Sequence, residues 1–152
     1  MRASVDGKSI QVESFSVIGF SIFGKVVNSK SQGIDGVKII IDGQQKALTN
    51  ENGNYRLDDI TPGMYILEGI SAHHIFEAMN IKIVPQSKQI QNLIASDYHL
   101  CGKITIEDLK TFQNSKRVVI LLEKGKVEKK VVTKENGEYC FEVKSSSYVV
   151  VP

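Results

Sequence analysis

Two cysteines, three histidines and a few small clusters of acids and serines are the residues of this chain that could do chemistry. Cys101 sits between Leu100 and Gly102, and Cys140 between Tyr139 and Phe141, each one position off the expected core residues. On strands, that parity places both sulfurs on the outer face, on what could be neighbouring strands. Two readings stay open, a pair of free thiols or a cross-strand disulfide, and the second requires an oxidising compartment. No Cys-x-x-Cys spacing exists for zinc. His73-His74 is an adjacent pair whose side chains would point to opposite strand faces, so both cannot ligate one metal; between two expected strands it reads as a solvated loop pair. His99, beside a core-facing Tyr98, reads as a surface residue. Asp58-Asp59 and Glu107-Asp108 lack the alternating oxygen ligands of a calcium loop and read as solvated turn residues.

Ser145-Ser146-Ser147 belong to no Gly-x-Ser-x-Gly elbow, and neither a P-loop nor a dinucleotide fingerprint occurs. Lys25 and Lys103 are outward by parity, which disfavours the inward lysine that a Lys–Asn isopeptide crosslink needs. The reading assigns no catalytic, metal-binding or cofactor-binding residue, and a non-enzymatic chain without cofactors is expected.

The elements that carry these residues form a repeat. Thr-Asn-Glu-Asn-Gly-Asn-Tyr at 49–55 matches Thr-Lys-Glu-Asn-Gly-Glu-Tyr at 133–139, five of seven positions being identical at an offset of 84. Residues 20–26 match 98–104 at an offset of 78, and 64–67 match 147–150. Three blocks in one order indicate duplication. Each copy alternates with a period of two, is rich in Val, Ile and Tyr, and is punctuated by Gly, Asn-Gly and Pro-Gly, the pattern of antiparallel strands. Strands are predicted near 20–27, 36–42, 45–49, 54–60, 64–71, 75–84 and 89–95, then near 98–105, 117–123, 126–133, 138–143 and 147–151. The turns carry their own reasons: Asn52-Gly53 and Asn136-Gly137 suit the positive φ of tight hairpins, and Pro62-Gly63 suits a reversal into the next strand.

The expectation is an all-β chain of tandem Greek-key, Ig-like or prealbumin-like sandwiches, the second one incomplete. Residues 1–18 read as the trailing strand of a preceding repeat or a linker, 19–96 as a complete sandwich and 97–152 as a truncated one. The strand at 9–18 is expected to pair with the unfinished unit, in the same or another molecule. A junction as short as Ala95-Ser96-Asp97 implies semi-rigid neighbours.

Composition narrows the partners. Basic and acidic residues number nine and nine over 1–96, and ten and eight over 97–152, so no phosphate-binding face is indicated and nucleic acid is not an expected partner. There is no Trp to build a stacking or sugar platform. No apolar run is long enough for membrane insertion, and Arg2–Gly7 lacks the apolar core of a secretory signal.

Gly-Lys-Val-Val at 24–27, Gly-Ile-Asp-Gly-Val-Lys-Ile-Ile at 33–40, the Asn-Glu-Asn-Gly-Asn-Tyr motif and Ile-Thr-Pro-Gly-Met-Tyr-Ile-Leu at 60–67 together resemble the carboxypeptidase-regulatory-like, or prealbumin-like, sandwiches. Residues 19–26, 76–85 and 100–104, with Gly-Glu-Tyr-Cys-Phe at 137–141, resemble more narrowly the NOMO (nodal modulator) family. That resemblance implies a scaffold segment from the lumenal array of a single-pass membrane protein of the endoplasmic reticulum. It implies protein partners, nicalin and other translocon-associated subunits, in the BOS complex that serves the insertion of multi-pass membrane proteins. It also implies an oxidising lumen, which favours a disulfide between Cys101 and Cys140. The alternatives are a ligand- or carbohydrate-binding accessory sandwich of a secreted or surface protein, and an appendage to an enzyme.

Overall fold

A computed structural model of the chain describes residues 2–5, 8–11, 19–105 and 116–152. All regular structure among them is strand. β1 (Arg2–Val5) and β2 (Lys8–Gln11) pair antiparallel with each other. Within this chain the start of the 9–18 segment thus pairs with β1 and not with the second unit; residues 12–18 lie outside the described residues.

The first unit holds β3 (Phe20–Val27), β4 (Lys38–Ile41), β5 (Gln44–Leu48), β6 (Asn54–Ile60), β7 (Gly63–Ile70), β8 (His74–Phe76) and β9 (Met79–Ile83). β10 (Leu93–Lys103) leads into the second unit, β11 (Val118–Glu123), β12 (Lys126–Val132), β13 (Glu138–Val143) and β14 (Tyr148–Val151). One sheet of the first unit has the order β5-β4-β7-β9; the other joins β6, β3 and β10, with β8 added on β10. Between them Ile22, Val26 and Leu57 meet Ile39, Ile41, Leu67 and Ile83 in one buried cluster. The second unit repeats the plan: β12-β11-β14 is one sheet, β10-β13 the other, and Val119, Leu121, Phe141 and Val143 form the core. Alternation drives this in the central strands, as in β6 and β13, where every second residue over much of the strand is apolar and withdrawn from water.

Two predicted boundaries move. The strand read at 75–84 is broken at Glu77-Ala78, because β8 pairs with β10 and β9 with β7, in different sheets. The strands read at 89–95 and 98–105 are one strand of 11 residues. A bulge between Ala95 and Asp97 makes this workable. Leu93 and Ala95 face the first core, whereas Tyr98 and Leu100 pack against the second. An extra residue shifts the parity, which re-aims the side chains without ending the strand.

The turns are also corrected. Asn52-Gly53 and Asn136-Gly137 do not close hairpins; they carry the chain from β5 to β6 and from β12 to β13, strands of opposite sheets. Only the glycines take positive φ, 75° at Gly53 and 83° at Gly137. Gly53 O accepts from Val26 N at 2.8 Å, and Gly137 O from Ile104 N at 3.0 Å. A Cβ on Gly53 would stand 2.2 Å from Val26 O, and one on Gly137 2.4 Å from Ile104 O. Pro62-Gly63 likewise switches sheets, and Gly63 is already the first residue of β7. Among the described turns, the two-residue hairpins are Asp42-Gly43 and Lys124-Gly125, both residues of each pair having positive φ. Such two-residue turns match the twist of the strands they join.

The repeated motif has further parts. Thr49 and Thr133 are buried; Thr49 Oγ1 accepts from Val37 N and donates to Ile34 O, and Thr133 Oγ1 accepts from Arg117 N. Tyr55 lies across Gly24, and Tyr139 across Gly102, in matching registers. A Cβ on Gly24 would be 2.1 Å from the Tyr55 ring. The Tyr55 hydroxyl is buried without a hydrogen-bond partner, and burial pushes its pKa up to about 12.

An unsatisfied buried hydroxyl contributes nothing that a phenyl ring would lose. Tyr55→Phe is therefore expected to melt at or above the wild-type temperature. Above pH 10 the unfolded chain ionises this phenol and the folded chain does not, so stability falls as pH rises from 10 towards about 12. Urea titrations across that window should show a shallower fall in Tyr55→Phe. A loss of more than about 1 kcal/mol at pH 7 in this variant would contradict the assignment.

Candidate functional site

The cysteines and histidines singled out for chemistry gather along β10, where the two units meet. Its first part runs parallel to β3, Leu93 opposite Val26. Its middle pairs with β8, Asp97 opposite Ile75 and Tyr98 opposite His74, and its second half with β13, Cys101 opposite Cys140.

The chain's three histidines share this seam. The His74 ring is half-buried, with centroid distances of 6.3 Å to Phe76 and 5.3 Å to Tyr98. Its Nδ1 lies 3.3 Å from Ser71 Oγ. His73 O accepts from His99 N at 3.0 Å. The reading of His73-His74 as a solvated loop pair is thus corrected for His74, which begins a strand because Tyr98 and Phe76 offer it an aromatic bed. Burial, then the neighbouring His73, lowers its pKa below the ordinary 6.5. His99 is half-buried rather than on the open surface, its strand being covered by the chain at His73.

Cys101 and Cys140 are exposed on the outer face of the β10–β13 pair, and the structure joins them across it with Cα atoms 4.0 Å apart. Among the described residues there is no free cysteine. Lys103, Lys134 and Glu138 border the pair in a shallow hollow.

Asp58 is a strand residue and not a solvated turn. Ser21 Oγ donates to its Oδ1 at 2.5 Å and Arg56 Nε at 2.6 Å. The Ser21 bond first, then that of Arg56 and its charge, hold the carboxyl below its usual range. Arg56 also lies 6.0 Å over the exposed Phe23 ring. This surface cluster was missed because its members are distant in sequence and alternate into contact only once β3 and β6 pair. Asp59 takes φ 55° beside Gly19, within β6 at the bulge between the Phe20–Ile60 and Ile22–Leu57 pairs. Glu107-Asp108 lie outside the described residues. Ser146 Oγ donates to Glu123, and Lys129 Nζ to Glu142 O. Among the described residues no group of three or more His, Cys, Asp or Glu could hold a metal ion. No described helix is long and apolar enough to cross a membrane.

Strands of two matched sandwiches, one strand common to both, and a surface of structural contacts define a segment of a tandem β-sandwich array. The comparisons agree. Residues 17–96 match the family model of the BOS complex subunit NOMO1-like second beta sandwich domain, and residues 99–152 that of the NOMO fifth transthyretin-like domain. The human BOS complex subunit NOMO1 is 32% identical over 97% of this chain, and the mouse BOS complex subunit NOMO1 is 32% identical over 98%. This chain belongs to the NOMO1-like family of BOS complex subunits. It spans 12% of the length of the human relative and 13% of the mouse one. Among solved structures, the streptococcal ancillary pilin is 12% identical with a TM-score of 0.44, over 90% of this chain and 54% of that one, too low to carry an argument.

The seam makes a prediction about acid. With the folded-state pKa of His74 depressed, the unfolded chain binds its proton first as pH falls below 6.5. This stability is complete above that pH and is lost on acidification. Urea unfolding at pH 7.5 and at about pH 5 should show a smaller acid loss in His74→Phe than in wild type. An identical loss in both would contradict the burial of this ring at the seam.

Proposed function

We propose that this chain is a non-enzymatic structural and interaction segment of the lumenal rod of a NOMO-like BOS complex subunit in the endoplasmic reticulum. The single observation that carries this reading is the uninterrupted β10, which lets one sandwich continue into the next with no linker. A hinge of several free residues would let the two units turn independently, whereas a paired strand costs its hydrogen bonds to bend. A segment so built transmits position, as a spacer must. Its proposed division is a leading segment at 1–18, a sandwich at 19–96 and a second at 97–152. Its proposed partners are nicalin and other translocon-associated subunits, the parent protein being anchored once in the membrane outside this segment.

The lumenal setting is supported by the register that brings Cys101 against Cys140. A bond closing a loop of this size contributes about 3–4 kcal/mol by the chain-entropy account, and it persists only where thiols are not kept reduced. The test is peptide mapping of the full-length protein, alkylated in intact cells before lysis. The account expects Cys101 and Cys140 in one linked peptide pair, and nicalin among the proteins recovered with the tagged chain. Two alkylated free thiols would contradict the lumenal placement, and recovery without nicalin would contradict the complex.

A further inference from the structure

The outer face of the β12-β11-β14 sheet is apolar, which an antiparallel sheet turned to solvent ordinarily is not. Val119 and Leu121 are fully buried in the core, so their neighbours on β11 point outward. The registers then give three rows across the sheet. Val132 lies opposite Val118; Lys130, Ile120 and Val151 are in line; Val127, Leu122 and Val149 are in line. Val118, Val127, Val132 and Val149 are each more than half exposed.

Duplication lets the two faces be compared position by position. The same sheet of the first unit has Lys38 where the second has Val118, since each precedes the first fully buried residue of its strand, Ile39 or Val119. It has Glu68 where the second has Val151, each facing the matching isoleucine, Ile40 or Ile120. Two positions charged on the first face are thus valine on the second, although the first face also exposes Leu48, Met64, Ile66 and Ile70.

We infer that this face docks a partner protein whose surface has an apolar centre and an acidic rim. Segments 116–132 and 148–151 carry six Lys or Arg and two Glu. Lys116, Lys124, Lys126 and Lys130 are exposed, against Glu128 as the exposed acid. Complementary charge at the rim orients and accelerates such docking. The same charge opposes a second copy, because a two-fold contact would set one lysine rim against another. Lipid fits poorly too: Ile120 and Leu122 are half-buried and the exposed apolar side chains of the face are valines, without the exposed Trp, Phe or Leu that enter a bilayer interface. Short branched side chains instead suit sheet-on-sheet packing at about 10 Å.

The inference rests on the proposed place in the BOS complex and adds which surface makes the contact. Val118→Lys and Val151→Glu, together, restore the residues that the first unit already carries at these positions, so the sandwich tolerates them. Met64→Lys, on an exposed site of the first unit, controls for added charge alone. Each is placed in the full-length tagged protein, and nicalin recovered per bait is measured, with melting of the purified proteins alongside. The expected result is full recovery for wild type and Met64→Lys, and a loss of about tenfold or more for the double variant at unchanged melting temperature. Added salt should weaken wild-type recovery. Undiminished recovery by the double variant overturns the docking face. Failure of wild type to recover nicalin overturns instead the proposed function. A wild-type dimer in sedimentation that the double variant abolishes, or binding to phosphatidylcholine–phosphatidylserine vesicles that it abolishes, overturns the choice of partner.

Discussion

One strand answers to two cores. β10 must present Leu93 and Ala95 to the first sandwich and Tyr98 and Leu100 to the second, while keeping its backbone paired throughout. A regular strand cannot do this if those positions differ in parity, and they do. The bulge between Ala95 and Asp97 resolves the conflict, and β8 lies against that place, supplying Ile75 and His74 as partners. The break of the 75–84 segment into β8 and β9, the half-buried His74 and the absence of a linker follow from the same requirement. The β8 residues are diverted from the β9 sheet because the seam needs them.

The repeated motif has a comparable economy. Thr, Gly and Tyr of the Thr-x-x-x-Gly-x-Tyr blocks each act at one crossing between sheets. The threonine bonds backbone groups that the departing strand leaves unpaired, the glycine brings its carbonyl against the first strand of the unit, and the tyrosine covers a glycine on that strand. Two copies preserve these contacts although much else differs. The identity of the blocks is therefore explained by geometry, without any appeal to chemistry at the site.

How much of this was legible in the sequence follows from what each signal measures. Period-two alternation identified nearly every strand, because burial on one face is a local pattern. Repeat matching gave the plan of the second unit from the first. Turn chemistry was less decisive: Asn-Gly records a need for positive φ at the glycine, and that need is the same at a hairpin and at a crossing between sheets. Asp42-Gly43 and Lys124-Gly125 were overlooked, as neither lies within the matched blocks. The bulge was invisible, since Ser96-Asp97 looks like any polar junction until both flanks are seen to be paired. Parity correctly set Cys101 and Cys140 on the outer face, but which strands were neighbours needed the fold. The Ser21–Arg56–Asp58 cluster needed it for the same reason.

The central claim is that the backbone stays hydrogen-bonded from the first sandwich into the second. Native-state hydrogen exchange, resolved by residue, reads this most directly. The account expects the bonded amides between Ala95 and Leu100, His99 foremost, to open as rarely as the bonded amides of β3. Rapid exchange confined to Ser96–His99, with protection resuming on either side, would show a hinge where a continuous strand is claimed, and would contradict it.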